Sequence, residues 1–190
     1  SLSNTTLYYV ENDEVPAPIH GGKTDTVGGG SYLNANQYLI FTCTTPVTLI
    51  SVDVYAGSTG SRTIQLRNSS NTVLQQATVN ITNTGLNTVP LNFSIPVGIN
   101  LRLGVSNSTP NLYRNNNGVS YPYTIPGILS ITTSSAGTNP LNYYYYFYNW
   151  VVQEPGGCVS ARVPVTASIF AQPSAGFTSS VATVTANFTN

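Results

Sequence analysis

The run "TLISVDVYAG" (Thr48–Gly57) sets Ile50, Val52 and Val54 on one side of an extended chain and Ser51, Asp53 and Tyr55 on the other. This two-residue period is that of a strand with one face in a core and one in water. A helix would need apolar residues three and four apart, and no segment of the chain sustains that spacing.

The same pattern recurs in both directions. Ile64 and Leu66 oppose Thr63, Gln65 and Arg67 in "RTIQLRN" (62–68). Val89, Leu91 and Phe93 align in "TVPLNFS" (88–94), and Leu101, Leu103 and Val105 align against Arg102 and Gly104 in "INLRLGV" (99–105). Turn-forming clusters separate the runs: "GSTGS" at 57–61, "NSSN" at 68–71, "NTG" at 83–85 and "PVG" at 96–98. Strands are predicted near 6–11, 37–44, 47–55, 62–68, 73–81, 88–94, 100–106, 128–133, 143–153 and 159–170. About ten short antiparallel strands at this spacing define an all-β protein, a jelly-roll-like β-sandwich.

"YYYYFYNW" (143–150) is the least ordinary segment. As one strand it places Tyr144, Tyr146, Tyr148 and Trp150 on one face and Tyr143, Tyr145, Phe147 and Asn149 on the other. One face lines a core; the second is either covered by the chain itself or open to a partner. Two stretches, 20–37 and 110–127, are rich in Gly, Asn, Tyr and Pro and read as long surface loops. The expected organisation is a sandwich over 1–171, then a linker and terminal strand over 172–190. In that tail Ala182, Val184, Ala186 and Phe188 share a face.

Composition excludes some partners. Charged residues are 6% of the chain, with six basic, six acidic and no net charge. The cations are dispersed, so a nucleic-acid surface is not expected. No apolar run reaches the roughly 18 residues of a membrane helix, so no membrane insertion is expected. Asn, Thr, Ser and Tyr replace the missing charge, a composition suited to an extracellular surface. The chain has no methionine and no leader-like segment, and reads as a processed or excised piece. Its two cysteines, Cys43 and Cys158, are either independent buried thiols or one disulfide. A bridge would close most of the chain into one loop, worth about 4–5 kcal/mol in the chain-entropy picture.

Three segments carry a resemblance: "YLIFTCTTPVTLISVDVYAGSTGSRTIQLRNSSNTVLQQATVNI" (38–81), "PNLYRNNNGVSYPYTIPGILSITTSS" (110–135) and "YYYYFYNWVVQ" (143–153). They resemble a β-sandwich module of large secreted or cell-surface proteins of Bacteroidota-type bacteria. "GGCVSARVPVTASI" (156–169) resembles the closing segment of immunoglobulin-like modules, and "PSAGFTSSVATVTANFTN" (173–190) the opening of a PKD-like domain. The resemblance implies type IX secretion and a multidomain exoprotein or adhesin of the kind linked to gliding motility. Partners would be neighbouring domains of the same parent, polysaccharide or other surface proteins. It carries no catalytic residues. "DTV" (25–27) is similar to the O-glycosylation pattern of these bacteria, which makes Thr26 a candidate glycan carrier.

Chemistry is thinly signalled. His20 is the only histidine, in a Gly-rich stretch with no companion motif, and the six acids form no recognisable carboxylate pair. No enzyme is expected; an accessory domain of a polysaccharide-degrading enzyme ranks last. No cofactor is expected either. A structural calcium on Glu11 and Asp13 of "ENDE" (11–14) is the weak exception. Binding remains, because Tyr and Trp offer rigid rings with a polar edge. The candidate ligand residues are Tyr113, Arg114, Asn115, Tyr121, Tyr123, Tyr143 and Tyr145. The alternatives are a non-catalytic platform and spacer, or a structural subunit that assembles through its terminal strand.

Overall fold

The computed structural model describes residues 6–10, 13–106, 109–156, 158–159, 162–168, 170, 174, 176, 178–182 and 185–189. Its strands are β1 (Thr6–Val10), β2 (Asp13–Glu14), β3 (Ile19–Gly21), β4 (Gly30–Leu33), β5 (Tyr38–Cys43), β6 (Val47–Ala56), β7 (Gly60–Arg67), β8 (Val73–Ile81), β9 (Gly85–Ile95), β10 (Gly98–Val105), β11 (Leu112–Asn115), β12 (Tyr123–Ile125), β13 (Leu129–Ser134), β14 (Tyr144–Tyr145), β15 (Tyr148–Gln153), β16 (Cys158–Val159), β17 (Val163–Ala167), β18 (Thr178–Ala182) and β19 (Thr185–Thr189). The protein is all-β and antiparallel, as the alternation requires.

Two compact units are present. The larger, Glu14–Cys158, is the sandwich. One sheet has six strands in the order β12-β13-β5-β10-β7-β8; the other has seven, with β14-β11-β6-β15-β3 as its spine, β4 beside β11 and β9 beside β6. From β4 to β14 the chain crosses between the sheets at every step except β7 to β8 and β12 to β13. The smaller unit holds Ser1–Asp13 and Val159–Asn190. There β1 pairs with β17, and β18 pairs with β19. In sequence, these units meet at 13/14 and 158/159. In the tail β18 and β19 pair with each other, so two strands stand where one was expected.

Between the sheets lies one apolar core. Leu39 and Phe41 of β5, Ile64 and Leu66 of β7, and Leu101 and Leu103 of β10 meet Leu49, Val52 and Val54 of β6 and Val89 and Phe93 of β9. Phe41 and Trp150 join the two layers edge to face at 5.2 Å. Such a ring pair adds about 0.5–1.5 kcal/mol beyond its buried area.

The opening run departs from strict alternation. The β6–β9 register shifts between Leu49 and Ser51, a bulge that puts Leu49 inward with Val52 and Val54. Ile50, expected inward, is only half-buried. The aromatic run departs further. It is not one strand: Tyr146 (φ 67°) and Asn149 (φ 43°) interrupt it. Upstream, Tyr145 pairs with Arg114 of β11; downstream, Tyr148 pairs with Asp53 of β6. Tyr144 to Tyr148 and Trp150 are all buried, so neither face is left as an open platform. The stretches read as loops contain β3 and β4 and β11 and β12, which raises the strand number above the ten expected.

Candidate functional site

The predicted ligand residues separate into a scaffold and a cleft. Asn115 belongs to the scaffold. It is 0% exposed. Its Nδ2 donates to the carbonyls of Thr26 (2.9 Å) and Gly29 (3.0 Å), and its Oδ1 accepts from the Tyr148 hydroxyl at 2.9 Å. The amide holds the 26–29 loop from inside and cannot reach a ligand, which corrects its assignment. Gly30 permits this closeness, since a Cβ there would lie 1.9 Å from the Arg114 carbonyl oxygen. Lys23 closes the same loop: its Nζ donates to the Val27 carbonyl at 2.7 Å and stands 3.9 Å from Asp25.

Tyr121 and Tyr123 are also largely structural. Tyr121 stacks on Tyr144 at 6.0 Å and donates its hydroxyl to the Tyr143 carbonyl at 2.8 Å. Tyr123 meets Tyr144 edge-on at 5.0 Å and accepts from the Ser120 amide at 3.0 Å. Within the 110–127 segment, Tyr121 and Tyr123 thus pack on Tyr144, while Arg114 lies over Tyr143. Burial pushes the Tyr121, Tyr144 and Tyr148 hydroxyls well above the usual phenol range, so they stay neutral; Tyr144 accepts from the Lys23 amide at 3.0 Å. Tyr113 packs edge-on against Tyr32 at 5.4 Å.

Arg114, Tyr143 and Tyr145 come together differently. β11 and β14 pair Arg114 with Tyr145, and the guanidinium lies 4.8 Å from the centre of the Tyr143 ring. The Tyr143 and Tyr145 rings are parallel within 9° at 6.1 Å. With Leu33, Ala35, Gln37 and Thr138 they line an open cleft of about 320 Å³. The Arg114 Nε is shielded from solvent and has no hydrogen-bond partner among the described residues. Burial raises the Tyr145 hydroxyl's pKa, and the nearby Arg114 charge offsets part of that rise. The cleft therefore brings a cation and the exposed part of the Tyr143 ring to one surface. Gln37 and Thr138 carried no sequence signal beyond lying near strand ends.

A roomier cleft of about 450 Å³, bounded by Pro46, Val47, Leu74, Ile95, Pro96 and Pro155, is mainly apolar. Its polar groups are spent on each other: the Gln75 amide donates to the Ser94 carbonyl at 2.6 Å and accepts from the Ser94 amide at 3.1 Å. It carries no charged side chain, whereas the Arg114 cleft does.

His20 sits in a chain of side chains that sequence reasoning did not anticipate. Its Nδ1 lies 2.8 Å from Asn149 Oδ1; Asn149 Nδ2 donates to Asp53 at 2.9 Å, and Thr88 Oγ1 donates to Asp53 at 2.6 Å. These residues stand on β3, β15, β6 and β9, four adjacent strands, and the chain braces them sideways. The Thr88 hydroxyl is engaged as a donor to a carboxylate and is not a nucleophile poised on a histidine.

The remaining calls fall as follows. Cys43 is a free, buried thiol whose Sγ donates to the Thr45 carbonyl at 3.0 Å, so it forms no bridge here; the Cys158 side chain lies outside the described residues. Glu11 and the Asp13 side chain also lie outside them. No group of three or more metal-ligating residues occurs among the described residues. Thr26 is half-buried in a turn where Asp25 Oδ1 accepts from the Val27 amide at 2.9 Å. No described helix is long and apolar enough to cross a membrane.

Fold and site together define a β-sandwich module with an aromatic, arginine-bearing cleft at one sheet end. The chain matches no known family model, no curated protein and no solved structure.

Proposed function

We propose that the sandwich is a non-catalytic binding module of a secreted or cell-surface multidomain protein, such as an adhesin, and that the Arg114–Tyr143–Tyr145 cleft takes a carbohydrate. The observation that carries this is the Arg114 guanidinium, held over Tyr143 in an open cleft with its Nε unpartnered. A guanidinium nitrogen shielded from water and lacking an acceptor among the described residues is costly unless something else accepts from it. Sugar hydroxyls supply acceptors, and a sugar ring's apolar face suits a tyrosine face. The low charge of the chain supports an extracellular setting, where Thr26 of the "DTV" turn would be available to a glycosyltransferase.

A glycan array followed by titration of the hits tests the cleft. Binding falls at least tenfold in Tyr143→Ala and Arg114→Gln, with both variants folded. An array with no hit, or hits indifferent to both substitutions, removes the proposal. Glycopeptide mass spectrometry of the native protein tests Thr26; an unmodified residue removes that part.

A further inference from the structure

The solvent face of the six-stranded sheet holds a second arrangement, independent of the cleft. β10 lies between β5 and β7 in that sheet. Leu103 pairs with Leu66, and both point into the core. Their neighbours Arg102 and Arg67 also pair in register and therefore emerge side by side on the outer face. Like charges directly opposite each other destabilise a sheet. This chain has six basic residues in all, yet it opposes two of them. Nothing in the sheet neutralises them: the strands β12, β13, β5, β10, β7 and β8 contain no Asp or Glu.

Both guanidinium groups are held in place. Arg67 donates to Gln65 Oε1 (3.0 Å from Nε) and to Asn71 Oδ1 (3.3 Å). Arg102 lies 5.1 Å from the centre of the Tyr38 ring, and its Nε is shielded from solvent with no acceptor among the described residues. Outward from this pair runs a row of uncharged polar contacts across β7 and β8. The Gln65 amide donates to Gln76 at 3.0 Å, and the Thr63 and Thr78 hydroxyls meet at 3.0 Å. The face thus combines two fixed cations, one aromatic ring, amides and hydroxyls.

We propose that this face binds a linear acidic polysaccharide, with the carboxylates of its uronate units set against Arg102 and Arg67. Arginines on adjacent strands stand about 5 Å apart at the backbone, on the order of one sugar ring. A carboxylate suits the planar fork of a guanidinium, and bidentate pairing places a counter-charge beside two cations for which the strands of the sheet supply none. The flanking Gln and Thr groups face the sugar hydroxyls. Two cations are too few for the phosphate row of a nucleic acid, whose affinity rests on many such contacts. The occupant is therefore a carboxylated polymer rather than DNA or RNA.

Titration of the full chain with polygalacturonate, its carboxyl-reduced neutral form, dextran sulfate and duplex DNA tests this. Polygalacturonate binds; Arg102→Gln and Arg67→Gln each weaken it at least fivefold, and carboxyl reduction abolishes it. Arg102→Lys, which keeps the charge and loses the fork, weakens it less than Arg102→Gln. Arg114→Gln leaves it within twofold, which separates this face from the cleft. Thermal melts confirm that each variant is folded, and either arginine serves if the other variant is not. The inference is overturned if polygalacturonate does not bind, if the neutral polymer binds equally, if dextran sulfate or DNA binds more tightly, or if neither arginine matters. Binding lost through Arg114 alone overturns it too, and credits the cleft instead.

Discussion

Asn115 offers the sharpest check on how the 26–29 loop is held. Truncation to Ala removes the acceptor of the Tyr148 hydroxyl, whose remaining contact is the Tyr113 carbonyl at 3.4 Å. It also removes a donor from the Thr26 and Gly29 carbonyls. Those carbonyls are not left bare: Thr26 still accepts from the Gly29 amide at 3.4 Å, and Gly29 from the Asn116 amide at 3.3 Å. The stranded hydroxyl costs about 1–2 kcal/mol, and the two weakened carbonyls about 0.5–1 kcal/mol each, so Asn115→Ala loses about 2–4 kcal/mol. Tyr148→Phe removes one partner of one bond and costs about 1 kcal/mol. In the double variant the hydroxyl is no longer stranded, so the losses sum to less than the two singles, with a coupling of about 1 kcal/mol. Urea melts of the four proteins give the cycle, and hydrogen exchange reports the loop amides directly. The reasoning fails if Asn115→Ala loses under 1 kcal/mol, if the singles add without coupling, or if the 26–29 amides exchange no faster.

Three further outcomes follow from burial. Trp150 is fully buried with its Nε1 donating to the Phe147 carbonyl at 2.9 Å, so the native protein emits as a shielded indole that resists acrylamide quenching and shifts red on unfolding; a quenchable native tryptophan refutes the core assignment. Arg62 is 5% exposed and donates to the Pro110 carbonyl and, at 3.0 Å, to the Ser58 carbonyl. Arg62→Lys cannot satisfy both from one ammonium and loses about 1.5–3 kcal/mol in chemical denaturation; an unchanged midpoint refutes that role. Burial raises the Cys43 thiol above its ordinary pKa, so its thiolate is scarcer than that of an exposed cysteine at pH 8. Native Cys43 resists alkylation and reacts once unfolded; prompt native labelling, or a Cys43–Cys158 bridge in peptide mapping, counts against a buried free thiol.

Alternation made β7, β9 and β10 legible, because each keeps its period for its full inward row. The bulge in β6 was not legible. Ile50 is apolar at an apolar period, and only the register of β9 moves Leu49 into the core in its place. The break in "YYYYFYNW" was hidden for a related reason. A tyrosine gives no local sign that its backbone will adopt a positive φ, as Tyr146 does; tertiary contacts hold it there, including its hydroxyl on the Ala35 carbonyl at 2.7 Å. Arg114, Tyr143 and Tyr145 were visible by composition alone. Their separation from Asn115, Tyr121 and Tyr123 was not, since residue type does not say which polar atoms the fold has already used. Short strands such as β4, β11 and β12 were hidden by their Gly, Asn and Pro content.

The turn of the chain at Tyr146 divides one aromatic run into two mechanical parts. Downstream, Trp150 and Val152 are clamped between the sheets, and their amides should exchange only with global unfolding. Upstream, β14 is two residues long and rests on β11 by the Arg114 and Asn115 pairings. Tyr144 of that strand is fully buried beneath Tyr121 and Tyr123, so only the half-buried Tyr143 end of the wall can loosen without opening the core. A ligand that stacks on those rings would register as a local rise in protection at 143–145 with almost none at 150–152.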